Sequence, residues 1–443
     1  MELNSVPASH RVARIWSSCA VALMFATAVP GAAQAQVLVD SHASSDASAP
    51  AAARSEERPA VEFTWKDRPS FTFGDRLRID LRARVQSGTS RLETESGSSE
   101  DGPDLDKRRV GVEGSFGKIL QFEVTRELAH SRPWRDAYVD YRQFPAARVQ
   151  FGRFKVPFSL DENTGAGSQD FVNRSMAASA LAPGRDRGVM FHGRLWRRTL
   201  SYEAGVFAHD GDNARVRDDM SLAAGRTAAF RLATAIGGKS GVHAAVAVAS
   251  SDVPATIWTI RGRTPLEETF FPAALWVQGA RLRVGVEARW AAGPVSLQSE
   301  YIRLTQERLF QSVQGGTLDP VVATGWYVSG TWALTGEHKA QRLRSQARSV
   351  FQGGRGAVEV AGRLEALTFG QVGDVNGASA SPRAETVLGN RNRALTLGLN
   401  WYLSPHLRVQ GNVIRDALKD PLRGPRPAQP AYWSSVLRLQ VGM

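Results

Sequence analysis

The sequence predicts an all-β chain, a 16-stranded antiparallel transmembrane β-barrel with long outer loops and an inward-folded third loop. Three observations predict it. Strand-length segments alternate apolar with charged residues, short and long connections alternate between them, and an export signal precedes them all.

The alternation is clearest from Phe71 to Val85. Phe71, Phe73, Leu77, Ile79, Leu81 and Val85 fall on one side, and Arg76, Arg78, Asp80, Arg82 and Arg84 on the other. Successive side chains of a strand point to opposite faces, so this is a ribbon with a greasy face and a wet one. A soluble sheet could show the same pattern once. Its recurrence along the whole exported chain favours a membrane barrel, whose closure also removes the edges a soluble sheet must protect.

Residues 1–35 read as a signal peptide: Arg11 and Arg14 supply the positive start, residues 20–29 the apolar stretch, and Ala33-Gln34-Ala35 the cleavage site. That stretch is shorter than the roughly 20 residues a membrane helix needs. The only cysteine, Cys19, lies inside the signal peptide, ahead of the apolar stretch, so the exported chain has neither a disulfide framework nor a cysteine metal site. Residues 36–69 read as a flexible lead-in, rich in Ala, Ser and charge, and residues 70–443 as the barrel. The net charge is +12, and 48 of the 55 basic residues are arginine. They are spread over alternating segments instead of forming one patch, which argues against nucleic acid and for small anions, outer-membrane lipid and lipopolysaccharide as partners.

Sixteen segments carry strand character: 70–86, 105–116, 119–128, 135–144, 147–155, 187–196, 199–208 and 223–234, then 240–250, 276–290, 295–304, 324–334, 356–369, 393–403, 406–415 and 432–443. Most are near the 9–11 residues a tilted strand needs to cross hydrocarbon. Short turns are expected at 117–118, 145–146, 197–198, 237–239, 291–294 and 404–405, and long loops at 87–104, 156–186, 209–222, 251–275, 305–323, 370–392 and 416–431. That is the pattern of periplasmic turns and outer loops. The short outer loop 129–134 and the long inner connection 335–355 strain it.

The faces agree. Leu395, Leu397, Leu399, Trp401 and Leu403 oppose Thr396, Gly398, Asn400 and Tyr402, and Leu282, Val284, Val286 and Trp290 oppose Arg281, Arg283, Glu287 and Arg289. Trp433, Leu437, Leu439 and Val441 oppose Arg438 and Gln440. An arginine on the lipid face costs about 2–4 kcal/mol at the bilayer midplane, so the greasy side faces lipid. Tyr138, Tyr141, Trp290, Trp326, Trp401 and Trp433, near strand ends, suit interfacial girdles.

A barrel of about 16 strands leaves an aqueous channel, and a long third loop can fold into it. The candidate pore-lining, anion-contacting residues are Arg76, Arg78, Arg82 and Arg84 on the first row and Lys155 at the end of the fifth segment. To these the sequence adds Arg174 and Arg185 on the loop, Arg187 opening the sixth segment, Arg281, Arg283 and Arg289 on the tenth, and Arg408 and Arg438 near the end. Arginine suits the task because its planar fork holds oxyanions and keeps its charge. On the loop, Asp161, Glu162, Asp170 and Asp186 oppose Arg174 and Arg185, which leaves a weakly selective general pore as the alternative.

Four stretches carry a family resemblance: residues 152–162 (Gly-Arg-Phe-Lys-Val-Pro-Phe-Ser-Leu-Asp-Glu), 325–337 (Gly-Trp-Tyr-Val-Ser-Gly-Thr-Trp-Ala-Leu-Thr-Gly-Glu), 356–367, and 397–405 (Leu-Gly-Leu-Asn-Trp-Tyr-Leu-Ser-Pro). In these the chain resembles the phosphate-selective porin O and P family. The resemblance implies a trimeric outer-membrane porin that passes phosphate or related anions by diffusion, held at a constriction by arginines and lysines. Lysine is scarce here, a departure that bears on phosphate preference.

Functions of other classes are an outer-membrane hydrolase and an adhesive or structural barrel. Hydrolysis needs a nucleophile beside a histidine base. His42, His130, His192, His209, His243, His338 and His406 are scattered, without metal-ligand spacing. Asp101, Asp104 and Asp106, and separately Asp210 and Asp212, read as solvated loop charge and match no calcium loop. No catalytic residue, metal site or cofactor is expected.

Overall fold

The computed structural model describes residues 61–65, 67–94, 97–128, 134–196, 199–211, 225–237, 241–339, 349–370, 381–420 and 429–443. The signal peptide and most of the lead-in lie outside the described residues, as do His42, His130 and Asp212.

Among the described residues, eighteen strands form one antiparallel sheet. β1 (Val61–Trp65) and β2 (Pro69–Phe73) make a short hairpin. The other sixteen (18 − 2) close into a ring. Its first half is β3 (Leu77–Thr94), β4 (Gly97–Phe116), β5 (Leu120–Glu127), β6 (Trp134–Phe144), β7 (Ala147–Lys155), β8 (Arg185–Leu195), β9 (Leu200–Phe207) and β10 (Thr227–Ile236). The second half is β11 (Gly241–Arg263), β12 (Thr269–Ala292), β13 (Val295–Arg308), β14 (Leu318–Ala333), β15 (Ala357–Phe369), β16 (Asn390–Tyr402), β17 (Leu407–Leu418) and β18 (Ala431–Gly442). Each strand of the ring pairs with its sequence neighbours, and β18 closes on β3, from Trp433 opposite Glu93 to Gly442 opposite Arg84. Beyond that seam Met443 and Ala83 exchange backbone hydrogen bonds of 2.9 and 3.3 Å. Below it β2 takes over the edge of β3, pairing Ser70 with Asp80 and Phe73 with Leu77.

The expected alternation is present as exposure. On β16, Leu395, Leu397 and Leu399 are 43%, 56% and 52% exposed, while Thr396 and Asn400 are fully buried from solvent. Thus the greasy face looks outward and the polar face inward, as lipid requires. No described helix is long and apolar enough to cross a membrane.

Three expectations need correction. The first segment is two strands: the chain reverses at Gly74 (φ 53°), so residues 70–73 pair back onto β3 and Arg76 sits in the turn between them. Glycine permits that left-handed backbone, which the run of alternating residues concealed. The ordered chain also starts earlier than Ser70, because residues 61–65 form β1 instead of flexible lead-in. Finally, much of the loops at 87–104, 251–275 and 305–323 is strand: β3 and β4 run to Thr94 and from Gly97, β11 and β12 to Arg263 and from Thr269, and β13 and β14 to Arg308 and from Leu318. Above the membrane neither face needs to be greasy, so these hairpins continue after the alternation has stopped.

The connection after β7 turns into the ring. It carries two short helices, Leu160–Asn163 and Met176–Leu181, begun by Ser159 and Ser175, whose hydroxyls accept from the amides of Glu162 (3.1 Å) and Ala178 (3.2 Å). Phe158, Met176, Ala177 and Leu181 form one apolar cluster with Ile302, Leu304, Ala323 and Leu367 of the wall. Gly325 admits this approach, since a Cβ there would lie 2.7 Å from that of Ala177.

Candidate functional site

The inward loop is held mainly by β12–β18, with fewer contacts from β3 and β7. The grip is made largely of arginine donating to backbone oxygens. Arg283 Nε donates to the carbonyl of Leu181 at 2.8 Å, and Arg363 donates to those of Asn173 (3.1 Å) and Arg174 (3.4 Å). Arg408 Nη1 donates to the carbonyl of Gln169 at 2.9 Å, and Arg438 Nη1 to that of Val172. Asn400 Nδ2 adds Asp170 (2.8 Å), and Asn412 Oδ1 accepts from the amide of Val172 (2.8 Å). Carboxylates hold the loop by its amides: Glu365 accepts from Met176 at 2.6 Å. From the inner end, Lys339 Nζ donates to Asp170 of the loop (2.6 Å) and to Glu359 of β15 (2.5 Å). The long connection at 335–355 therefore sends its first residues back into the barrel. Its residues 340–348 lie outside the described ones.

On the other side, between the loop and β3–β8, lies a cavity of about 870 Å³. Ten basic residues border it, Arg82, Arg84, Lys107, Arg109, Arg135, Lys155, Arg174, Arg185, Arg263 and Arg283, against five acidic ones, Glu123, Asp136, Glu162, Glu203 and Glu267. The net surplus is +5 (10 − 5) on one chamber. With low-dielectric walls, such a surplus concentrates anions there.

The sequence candidates fall into distinct places. Arg78, Arg82 and Arg84 face inward on β3. Arg78 Nε meets Asp80 at 2.9 Å, and Arg82 Nη1 meets Glu123 at 2.8 Å and Glu113 at 3.4 Å. Arg84 reaches the loop at Gly167 and shares its face with Arg109 on β4. Lys155 Nζ donates to the carbonyls of Glu162 and Thr164, the latter at 3.2 Å. Arg174 donates to Glu162 Oε2 (2.9 Å) and to the carbonyl of Thr164 (2.8 Å). Burial alone would raise the Glu162 carboxyl, but Arg174 and Lys155 outweigh it and hold it below the usual range. Arg185 forks onto Asp136 at 3.0 and 3.1 Å. Arg281 and Arg283 share the buried Asp210, and Arg289 has Asp170 as its charge partner. Arg408 and Arg438 belong to the grip on the loop.

Four placements differ from the expectation. Arg76 is exposed in the β2–β3 turn, off the inward row. Arg187 shares the outward face of β8 with Val189 and Phe191, 37% and 57% exposed, because side chains alternate along the strand and it keeps their parity. Tyr138, expected in a girdle, faces inward and donates to Glu123 at 3.1 Å. Asp210, read as loop charge, is 1% exposed. Lys107, Arg109, Arg135 and Arg263 border the cavity without having been picked out by sequence. Arg109 was findable, since it sits directly across from Arg84 in the hairpin register.

The described histidines sit apart. His192 meets Asp140 at 2.9 Å, His209 meets Asp186 at 3.1 Å, and His243 meets Glu287 at 2.9 Å. Among the described residues no three His, Cys, Asp or Glu side chains gather as a metal site.

Comparison with known proteins places this geometry. A family model described as phosphate-selective porin O and P matches residues 79–441. Porin O of Pseudomonas aeruginosa is 25% identical over 376 residues, covering 76% of this chain and 82% of that protein. Among solved structures, the anion-selective porin from Comamonas acidovorans has a TM-score of 0.54 at 14% identity, covering 83% of this chain and 100% of its own. The outer-membrane protein OmpT of Vibrio cholerae has a TM-score of 0.52 at 12% identity, covering 84% of this chain and 99% of its own. These two structural likenesses speak for the fold.

Proposed function

The chain belongs to the phosphate-selective porin O and P family and is a porin of the bacterial outer membrane, and from that premise we propose that it passes small anions, phosphate or related oxyanions, by diffusion through an arginine-lined pore. The observation that carries the proposal is the surplus of five positive charges around the chamber between the loop and β3–β8. Arg82, Arg84 and Arg109 line one side of it, and Arg174 and Arg185 the other. These guanidinium groups keep their charge at any physiological pH and match the geometry of an oxyanion. Many also have a carboxylate neighbour, such as Glu123 for Arg82, which limits how tightly an anion is held and lets it leave. The porin from Comamonas acidovorans that shares this fold is anion-selective, which fits this reading. A homotrimer is part of it, as the family resemblance implies.

The test is competition in a planar bilayer. Phosphate added to a chloride solution lowers the chloride current through the wild-type protein, and Arg82→Gln, Arg84→Gln and Arg109→Gln together abolish that block. A chloride current indifferent to phosphate refutes the oxyanion preference.

A further inference from the structure

The outward face of the barrel carries a row of arginines that the pore does not use. Arg108 on β4 lies across from Val85, a 40% exposed residue of the greasy face. Arg126 on β5 lies across from outward Val110, and its guanidinium stacks 5.4 Å over the ring of Trp134 on β6. Arg153 on β7 lies across from Ala137, donates its Nε to the carbonyl of Trp134 at 3.2 Å, and stands directly opposite Arg187 on β8. None of these four arginines borders the lumen cavity.

Their height follows from the strands. Arg153 and Arg187 sit at the loop end of the β7–β8 pair, two residues from where the chain turns inward. One rank lower, the same face shows Val124, Val139, Phe151, Val189 and Phe191, all at least 37% exposed. The row thus marks the line where hydrocarbon gives way to outer-leaflet headgroups, and Trp134, 51% exposed, sits among the arginines as interfacial aromatics do. Charge on the lipid face is costly at mid-membrane and nearly neutral at this line. Arg153 and Arg187, directly across the strand pair, set two guanidinium groups side by side on the outward face. A phosphate monoester suits such a pair, for guanidinium forks bind its oxygens two at a time.

We propose that Arg108, Arg126, Arg153 and Arg187, with Trp134, bind the phosphorylated headgroup of an outer-leaflet glycolipid against the outside of the barrel. The acyl chains of such a lipid would lie down the greasy face beneath the row, and its phosphates would bridge β7 to β8. This gives the outer-membrane lipid a defined seat on strands β4–β8, and it does not depend on what the lumen passes.

The experiment uses the purified full chain in detergent, exchanged against lipid A with its phosphates or against the same lipid dephosphorylated, with bound lipid counted by native mass spectrometry. The phosphorylated form is expected to stay bound and the dephosphorylated form to be lost. Changing all four arginines to glutamine is expected to lower retention by about tenfold, and changing them to lysine to keep most of it. The β-sheet circular dichroism of each variant confirms folding. Should the fourfold variant not fold, Arg153→Gln with Arg187→Gln carries the test. Equal retention of both lipids, or by the glutamine variant, overturns the proposal. So does a variant that alters subunit assembly with lipid retention unchanged, which would assign the row to contacts between copies of the chain.

Discussion

Changing Asp210 to Asn is expected to unfasten the pore loop and destabilise the barrel by about 3–5 kcal/mol, the usual cost of removing one partner of a buried ion pair. The figure follows from what Asp210 does. Its two oxygens accept from Arg283 at 2.5 and 2.9 Å and from Ser251 at 2.5 Å, and Arg281 donates to it as well. Both arginines are nearly solvent-free, with side chains 4% and 3% exposed, so without the carboxylate two positive charges are left facing each other in the interior. Arg283 is also the residue that holds the carbonyl of Leu181, so the C-terminal end of the loop helix loses its fastening too. Burial opposes the Asp210 charge, but Arg283 and Arg281 outweigh it and hold the carboxyl well below its usual value near 3.9. A depressed carboxylate contributes stability that is complete above the unfolded-state value and is lost as pH falls through the folded-state one. Urea unfolding of vesicle-embedded protein, followed by tryptophan fluorescence, measures the difference. The gap between wild type and variant should be flat above about pH 4 and close only in stronger acid. A variant as stable as wild type at neutral pH, or a gap that closes near pH 6, refutes the reasoning.

Two further predictions concern the other supports. Lys339→Met leaves Asp170 and the fully buried Glu359 without their shared cation, so the barrel should lose about 3–5 kcal/mol in the same assay, with noisier single-channel current as the loop loosens. Burial opposes the Lys339 charge, but Asp170 and Glu359 hold its ammonium above the ordinary range, so this contribution persists below pH 10 and fades only in alkali. Leu397→Arg, which places a charge mid-strand on the 56% exposed outward face of β16, should cost about 2–4 kcal/mol in unfolding experiments, whereas the same change in a soluble sheet would be nearly silent.

The barrel was legible because lipid punishes any strand that puts charge outward, and that pressure writes a period of two into every crossing segment. Each of the sixteen segments has its counterpart in the ring, and the β7 bounds agree residue for residue. Strand ends were not legible above the membrane, where β11 and β12 continue as a paired hairpin to Arg263 and from Thr269 with no lipid to impose alternation. The parity of Arg187 with Val189 and Phe191 was on the page and pointed outward. Nearness to the loop does not override that face.

Within the lumen, parity says that Arg283, Arg363, Arg408 and Arg438 face inward but not what stands opposite. The answer is a loop whose carbonyls they hold, and nothing local records a contact between Arg438 and Val172. One signal did exist. Small residues recur on the wet face of β11 at Ala245, Ala247 and Ala249, and Gly325 sits among bulkier neighbours on β14. Small side chains on an inward face mark where something packs from inside, and here that is the loop.

The reversal potential in a planar bilayer, with potassium chloride more concentrated on one side, decides whether the basic chamber governs passage. With Arg82, Arg84 and Arg109 in place the potential should take the sign of preferential chloride flow. Replacing all three with glutamine lowers the surplus around the cavity from +5 to +2 (5 − 3) and should move the potential toward zero. A wild-type potential of the cation-selective sign, or one that these replacements leave unchanged, would contradict it.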